Sequence, residues 1–194
     1  MELRKWSYKG SRAVLRLARS FAPMTTINKA IFLDRDGVLN DEIGDYVWKL
    51  DDFIVSPGVP ESLARLKAAG YYLVVVTNQA GIAKKLYTAD DVHDCHAKLQ
   101  AACGHLLDAL YFSEAHPSVS DSVLRKPDSG MFEKAVARFK LDPAQCWIVG
   151  DRYRDMEAGA KIGVRGIMVG ATEVVDFVPR VADLRAATDI ILGV

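Results

Sequence analysis

The sequence predicts an α/β protein built around a mainly parallel sheet, and three observations carry that prediction. From Lys29 onward, short apolar runs alternate with amphipathic stretches of helical period, the pattern of successive βαβ units. Several apolar runs end abruptly in short polar or glycine-containing turns, where strands of an open sheet hand over to loops. The chain has 194 residues, 50% of them hydrophobic and 26% charged, which suits one domain with a sizeable core and argues against disorder.

Ala30-Ile31-Phe32-Leu33 reads as a short buried strand that ends in Asp34-Arg35-Asp36-Gly37. Pro60 to Ala69 has Leu63 and Leu66 at helical spacing and stops at Gly70, a residue suited to a helix C-terminus. Tyr72 to Val76 is the most strand-like run in the chain, broken at Thr77-Asn78-Gln79. Thr88 to about Ala102 predicts a helix, with Thr88 as N-cap and Asp90 and Asp91 near the positive end of its dipole. Leu110 to Phe112 is a strand, and a polar loop runs from it to Lys126. A helix over Ser129 to Lys140, a strand over Cys146 to Val149, a helix over Arg154 to Lys161 and a strand over Gly166 to Val169 follow. A helix near Ala182 to Ala187 and the apolar run Ile190-Ile191-Leu192 close the chain.

Charge and cysteine content narrow the function classes. Lys plus Arg and Asp plus Glu both total 25, so no net charge draws the chain to nucleic acid or an anionic membrane. Cys95, Cys103 and Cys146 are odd in number and form no C-x-x-C pair, which predicts buried thiols in a reducing compartment and a cytoplasmic protein. No apolar run is long enough to span a bilayer. Residues 1–26 differ from the rest: Arg4, Lys5, Lys9, Arg12, Arg16 and Arg19 face a single acid, Glu2. They read as a basic N-terminal extension, either disordered, a start-site artefact with the true start at Met24, or an amphipathic targeting helix. Residues 27–194 then form the domain proper.

Ligands of open parallel sheets bind outside the carboxyl ends of the strands. At those ends stand Asp34 and Asp36, Thr77-Asn78-Gln79, Arg125-Lys126 and Gly150-Asp151-Arg152. If the chain stays extended, Asp34 and Asp36 point to one side and Arg35 away. Paired carboxylates at that spacing can divide labour: an ionised one attacks phosphorus, and the other protonates the leaving oxygen. Asp151 with Asp34 gives the oxygen ligands Mg²⁺ prefers, while Thr77 and Lys126 offer a hydrogen-bond donor and a positive charge to a transferring phosphoryl group. Any one of these residues alone would more often be a solvated loop acid, a cap or a surface lysine. Four strand ends in this order make coincidence the poorer explanation.

Phe32 to Asn40, Val76 to Ile82, Arg125 to Met131 and Val149 to Met156 together resemble the four motifs of the haloacid dehalogenase-like superfamily. More narrowly, the chain resembles the capless branch that contains the heptose bisphosphate and histidinol-phosphate phosphatases. The resemblance implies a Rossmann-like three-layer sandwich without a large cap domain, and a Mg²⁺-dependent phosphomonoester hydrolase working through an aspartyl-phosphate. It implies Asp34 as nucleophile and metal ligand, Asp36 as general acid/base with its backbone carbonyl on the metal, Asp151 as the third ligand, and Thr77 and Lys126 on the phosphoryl group. Asp41 to Tyr46, Asn78, Gln79, Arg125 and Arg152 fall where relatives contact substrate, although the loop from Asn40 to Val47 is one residue longer than usual. The expected substrate is a small phosphorylated sugar, with heptose bisphosphate first and histidinol phosphate as the alternative. The enzyme is expected to be a monomer without nucleic acid or membrane partners.

Relatives in this branch commonly hold a structural zinc in the loop before the lysine motif. The matching positions here are Ser113, Ala115, Ser122 and Leu124, and His116 alone cannot hold the ion, so no zinc is expected. On a helix His93 and His96 share a face while Cys95 is rotated away, so a solvated helix face rather than a metal cluster is expected there, and Trp48, Trp147 and Tyr153 are expected as packing residues. A polynucleotide 3′-phosphatase would want a basic groove, which the neutral charge disfavours. A non-catalytic binding protein on this fold should have lost part of the acidic set, and none is lost.

Overall fold

The computed structural model describes residues 27–170 and 178–194, so the reading of 1–26 as an extension lies outside the described residues. Six strands, β1 (Lys29–Leu33), β2 (Tyr71–Asn78), β3 (Ala109–Ser113), β4 (Trp147–Gly150), β5 (Arg165–Val169) and β6 (Arg180–Val181), form one sheet in the order 3-2-1-4-5-6. Every pairing among them is parallel. This is the Rossmann order, in which the chain winds outward in opposite directions from β1 and β4.

Helices α1 (Val59–Ala68), α2 (Ala89–Ala102), α3 (Gly130–Phe139), α4 (Tyr153–Ala160) and α5 (Leu184–Leu192) cover both faces. Side-chain alternation along the strands sorts the core into two layers. Ile31, Leu33, Leu73, Val75, Val149 and Ile167 pack with Leu63 and Leu66 of α1, Leu99 of α2 and Leu184 and Ile191 of α5. Ala30, Phe32, Val74, Val76, Ile148 and Met168 face the other way, onto Met131, Phe132 and Ala135 of α3 and Met156 and Ala158 of α4. Phe32 meets Phe132 edge to face at 5.1 Å. Each such fully buried side chain contributes about 1.5–3 kcal/mol. Burial on both sides is why these strands read as apolar runs rather than as alternating ones.

The expected elements are present, with ends displaced by a residue or so. Thr88 caps α2 as predicted: its Oγ1 accepts from the Asp91 N–H, and the Asp91 carboxylate accepts from the Thr88 N–H. The last part of the chain needs correction. Ile190-Ile191-Leu192 is the final turn of α5, which starts after its N-cap Asp183 and buries Leu184, Ala187, Thr188 and Ile191 at helical spacing. The two-residue strand β6 and a short 3-10 turn at Pro143–Gln145 carry no sequence period and were not expected. The connections from β1 to α1 and from β2 to α2 hold turns and isolated bridges only, so no cap domain covers the carboxyl edge of the sheet.

Candidate active site

The strands β1 and β4 lie side by side at the point where the strand order reverses, and the crevice above them is where such sheets bind ligands. Asp34 directly follows β1 and Asp151 directly follows β4. The Asp34 N–H still donates to the Val149 carbonyl at 2.9 Å, so the sheet ladder reaches the base of this side chain. Gly37 then turns the chain at φ +80°, where a Cβ would stand 2.9 Å from Asp151 Oδ2. The turn requires glycine for its conformation and for the space Asp151 occupies.

Carboxylate oxygens of Asp34, Asp151 and Asp155 all lie within 4.8 Å of one another, and all three residues are buried. Asp155 sits in the first turn of α4, where its Oδ2 also accepts from the Arg152 N–H at 3.1 Å. Burial, together with the Asp34 and Asp155 charges, pushes the Asp151 carboxyl up to about 7. The cluster is therefore short of positive charge, and its all-oxygen donor set suits a hard divalent cation.

Lys126, 1% exposed, reaches the cluster as a buried cation. Its Nζ lies 2.6 Å from Asp155 Oδ1 and 3.0 Å from Asp34 Oδ1, and donates to the Val76 carbonyl at 2.7 Å. Burial pulls the ammonium down, but Asp155 and Asp34 outweigh it and hold Lys126 above the ordinary lysine value. Two carboxylates and a carbonyl surround the ammonium, so in this arrangement it acts through charge. Asn78 fixes the lysine's backbone, with its amide oxygen accepting from the Lys126 N–H and its NH₂ donating to the Lys126 carbonyl, both at 3.0 Å.

Asp36 occupies a different environment. Its Oδ1 accepts from Arg35 and Asn40, and its Oδ2 from Arg35 and from Gln79 Nε2 at 3.1 Å. The expectation that Arg35 points away is corrected here. The chain leaves the extended conformation after Asp34, and the Arg35 guanidinium folds back onto Asp36 and the Val47 carbonyl while buried to 1% exposure. Gln79 Nε2 also donates to Thr77 Oγ1 at 2.9 Å.

A cavity of about 300 Å³ opens beside this centre, lined by Asp36, Tyr46, Asn78, Gln79, Arg152 and Arg154 among others. Tyr46, Asn78, Gln79 and Arg152 thus come together at one cavity. Arg152 also pairs with Asp151 at 3.0 Å and reaches Glu42 at 3.8 Å. Asp41 does not line the cavity; its carboxylate accepts from Ser56 Oγ at 2.6 Å. Arg125 lies outside this lining too, with one guanidinium nitrogen donating to the Ala115 carbonyl at 2.8 Å. Asp155 and Arg154 were missed as site residues. Both follow Asp151 on the first turn of α4, so the signal was the helix start itself, which turns both residues back toward the strand end.

Ser113, Ala115, Ser122 and Leu124 all line a second cavity, of about 550 Å³. His116 is occupied locally, its Nδ1 accepting from the Ser118 N–H at 3.2 Å. Of the face shared by His93 and His96, His93 alone is exposed. Cys95 is fully buried, with its Sγ donating to the Trp48 carbonyl, and His96 is half-buried. Trp48 and Trp147 are half-buried, Trp48 stacking on Tyr87 and Trp147 under Arg165, whereas Tyr153 is 47% exposed.

A site of this kind on this fold belongs to a group-transferring α/β hydrolase. The chain belongs to the haloacid dehalogenase-like hydrolases, whose family model matches residues 11–163. It is similar to the D-glycero-D-manno-heptose-1,7-bisphosphate 7-phosphatase of Thermosynechococcus vestitus, at 39% identity over 72% of this chain and 78% of that one. The D-glycero-beta-D-manno-heptose-1,7-bisphosphate 7-phosphatase of Haemophilus influenzae is 40% identical over 69% of this chain and 76% of its own length. Among solved structures, the D,D-heptose 1,7-bisphosphate phosphatase of B. bronchiseptica complexed with magnesium and phosphate superposes with a TM-score of 0.78 at 28% identity, covering 86% of this chain and 99% of that chain. The chain is a phosphatase.

Proposed function

We propose that this phosphatase is a magnesium-dependent phosphomonoester hydrolase acting through an aspartyl-phosphate on Asp34, with D-glycero-D-manno-heptose 1,7-bisphosphate losing its 7-phosphate as the substrate. The observation that carries the reading is the convergence of three buried carboxylates with one buried lysine at the switch point of the sheet. Asp34, Asp151 and the backbone carbonyl of Asp36 would hold the ion, with Asp155 beside them. When bound, the ion supplies positive charge against the charge developing on the transferring phosphoryl oxygens.

The residues divide the remaining work. Asp34 attacks phosphorus as the bond to the sugar oxygen breaks, and Asp36 gives its proton to that leaving oxygen. Asp36 then takes a proton from the water that attacks the aspartyl-phosphate, which releases phosphate and frees Asp34. Thr77 donates its hydroxyl hydrogen to a phosphoryl oxygen, and Lys126 offsets charge at the nucleophile. Tyr46, Arg152 and Arg154, which line the cavity, would contact the sugar and any second phosphate. The heptose assignment rests on the names of the relatives. A reducing compartment such as the cytoplasm is supported by Cys95, Cys103 and Cys146, all free and buried.

The test is phosphate release from heptose 1,7-bisphosphate anomers, histidinol phosphate and a 3′-phosphorylated oligonucleotide, with Mg²⁺ and after chelation. Preference for a heptose bisphosphate with loss of turnover on chelation is expected. Full turnover without a divalent cation would remove the metal from the mechanism, and a preference for histidinol phosphate would reassign the substrate.

A further inference from the structure

Gln79 lies in the cavity lining, yet it is 1% exposed and its amide is committed to internal partners at both ends. Nε2 donates to Asp36 Oδ2 at 3.1 Å and to Thr77 Oγ1 at 2.9 Å. Oε1 accepts from the Tyr87 hydroxyl at 2.8 Å. The Asp36 carboxylate sets the orientation, since a reversed amide would turn its oxygen against the carboxylate oxygen.

Tyr87 is in turn held from several sides. It stacks on Trp48 with centroids 6.1 Å apart, and the Tyr46 ring meets it edge-on at 5.9 Å. A Cβ on Gly81 would stand 2.0 Å from the Tyr87 ring, so the absence of a side chain there is what seats the ring. The phenol is 6% exposed, and burial pushes it up to about 12, which keeps it a hydrogen donor at working pH.

We propose that Tyr87 is a positioning residue for the phosphoryl-transfer step, fixing the Gln79 amide so that one NH₂ group orients both the Asp36 carboxyl and the Thr77 hydroxyl. Because Thr77 Oγ1 accepts from Gln79, its hydrogen is directed away from Gln79 and toward the phosphoryl site. The same NH₂ holds Asp36 Oδ2, one of the two oxygens that can carry the acid's proton. Tyr87 itself does not line the cavity around Asp36, so its influence passes through Gln79. The inference rests on the proposed roles of Asp36 and Thr77.

The experiment is steady-state phosphate release, at saturating Mg²⁺, from whichever ester of the panel turns over best. Tyr87→Phe keeps the ring and removes the hydroxyl, and kcat should fall about tenfold with KM within about twofold. In a Gln79→Ala background the same change should alter kcat by less than about twofold, because the route is already cut. A wild-type kcat for Tyr87→Phe, a change in KM alone, or an equal loss in both backgrounds would overturn the inference. Gln79→Ala should itself lower kcat by at least as much as Tyr87→Phe, and an unaltered kcat there overturns the inference even if Tyr87→Phe does not fold. Asp36→Asn, run in parallel, separates the two layers of argument. If it is inactive while Tyr87→Phe is unimpaired, only the Tyr87 role fails; if it is fully active, the Asp36 assignment fails and takes the Tyr87 role with it.

Discussion

The switch point of the sheet and the rim above it are built on opposite principles. At the switch point Asp34, Lys126, Asp151 and Asp155 are at most 6% exposed, and each hangs from a strand, a helix start or a clamped backbone. On the rim, Ile43, Val119 and Val123 are 49%, 59% and 73% exposed, and the segments around them lack helix and strand. Reaction chemistry needs fixed geometry and low dielectric, which the buried strand ends provide. Selection of a substrate needs only surface that can vary, which loops provide without disturbing the core.

The largest effect that would break this contrast is at the proposed nucleophile. Asp34→Asn should lower kcat on the order of 10⁴-fold with little change in melting temperature, measured by phosphate release and thermal unfolding. Retained turnover would move the nucleophile elsewhere. Next comes Lys126→Met, which leaves Asp34 and Asp155 buried without their counter-charge. The metal-free protein should lose about 3–5 kcal/mol in urea unfolding, and an unchanged midpoint would show that the cluster does not need the lysine. Arg152→Ala probes the border of the two regions. An arginine that serves the rim should raise KM about tenfold and leave kcat within about threefold, whereas a fall in kcat would show that its contact with Asp151 belongs to the chemistry.

The smallest effect concerns His96. Burial holds its imidazole below the ordinary histidine value, so the unfolded chain binds that proton more readily than the folded one. Its contribution is present in full above about pH 6.5, the value for the unfolded chain, and is lost as the pH falls from there toward the lowered folded value. His96→Gln should therefore narrow the difference between urea midpoints at pH 7 and pH 5. An unchanged difference would place the imidazole in solvent.

The contrast between the two regions also decides what the sequence discloses. Strands buried on both faces leave unbroken apolar runs, and the residues that close them, Asp34, Thr77 and Asp151, are read directly from their ends. Asn78 and Gln79 are equally visible as positions, but their partners, the Lys126 backbone and Tyr87, lie at distances along the chain that no local pattern encodes. Arg35 was misjudged because strand alternation was extended one residue past the point where the backbone turns. Asp155 escaped because a carboxylate in the first turn of a helix reads as dipole compensation. On the rim, the contact expected of Asp41 was carried over from a loop of different length, and in this chain the carboxylate meets Ser56. The strand β6, two residues long, has no period to detect.

The ladder bond from the Asp34 N–H to the Val149 carbonyl joins two segments far apart in the chain. During synthesis β1, β2 and β3 emerge early and can pair, yet the strand that steadies Asp34 and delivers Asp151 and Asp155 emerges late. A chain made only as far as β3 lacks two of the three carboxylates and cannot hold the acidic cluster, although three strands of the sheet can already pair. Such long-range closure is a slow event in folding. Recovery of phosphatase turnover after dilution from denaturant is thus a clock for the docking of β4 against β1, and it should lag behind the recovery of helical signal.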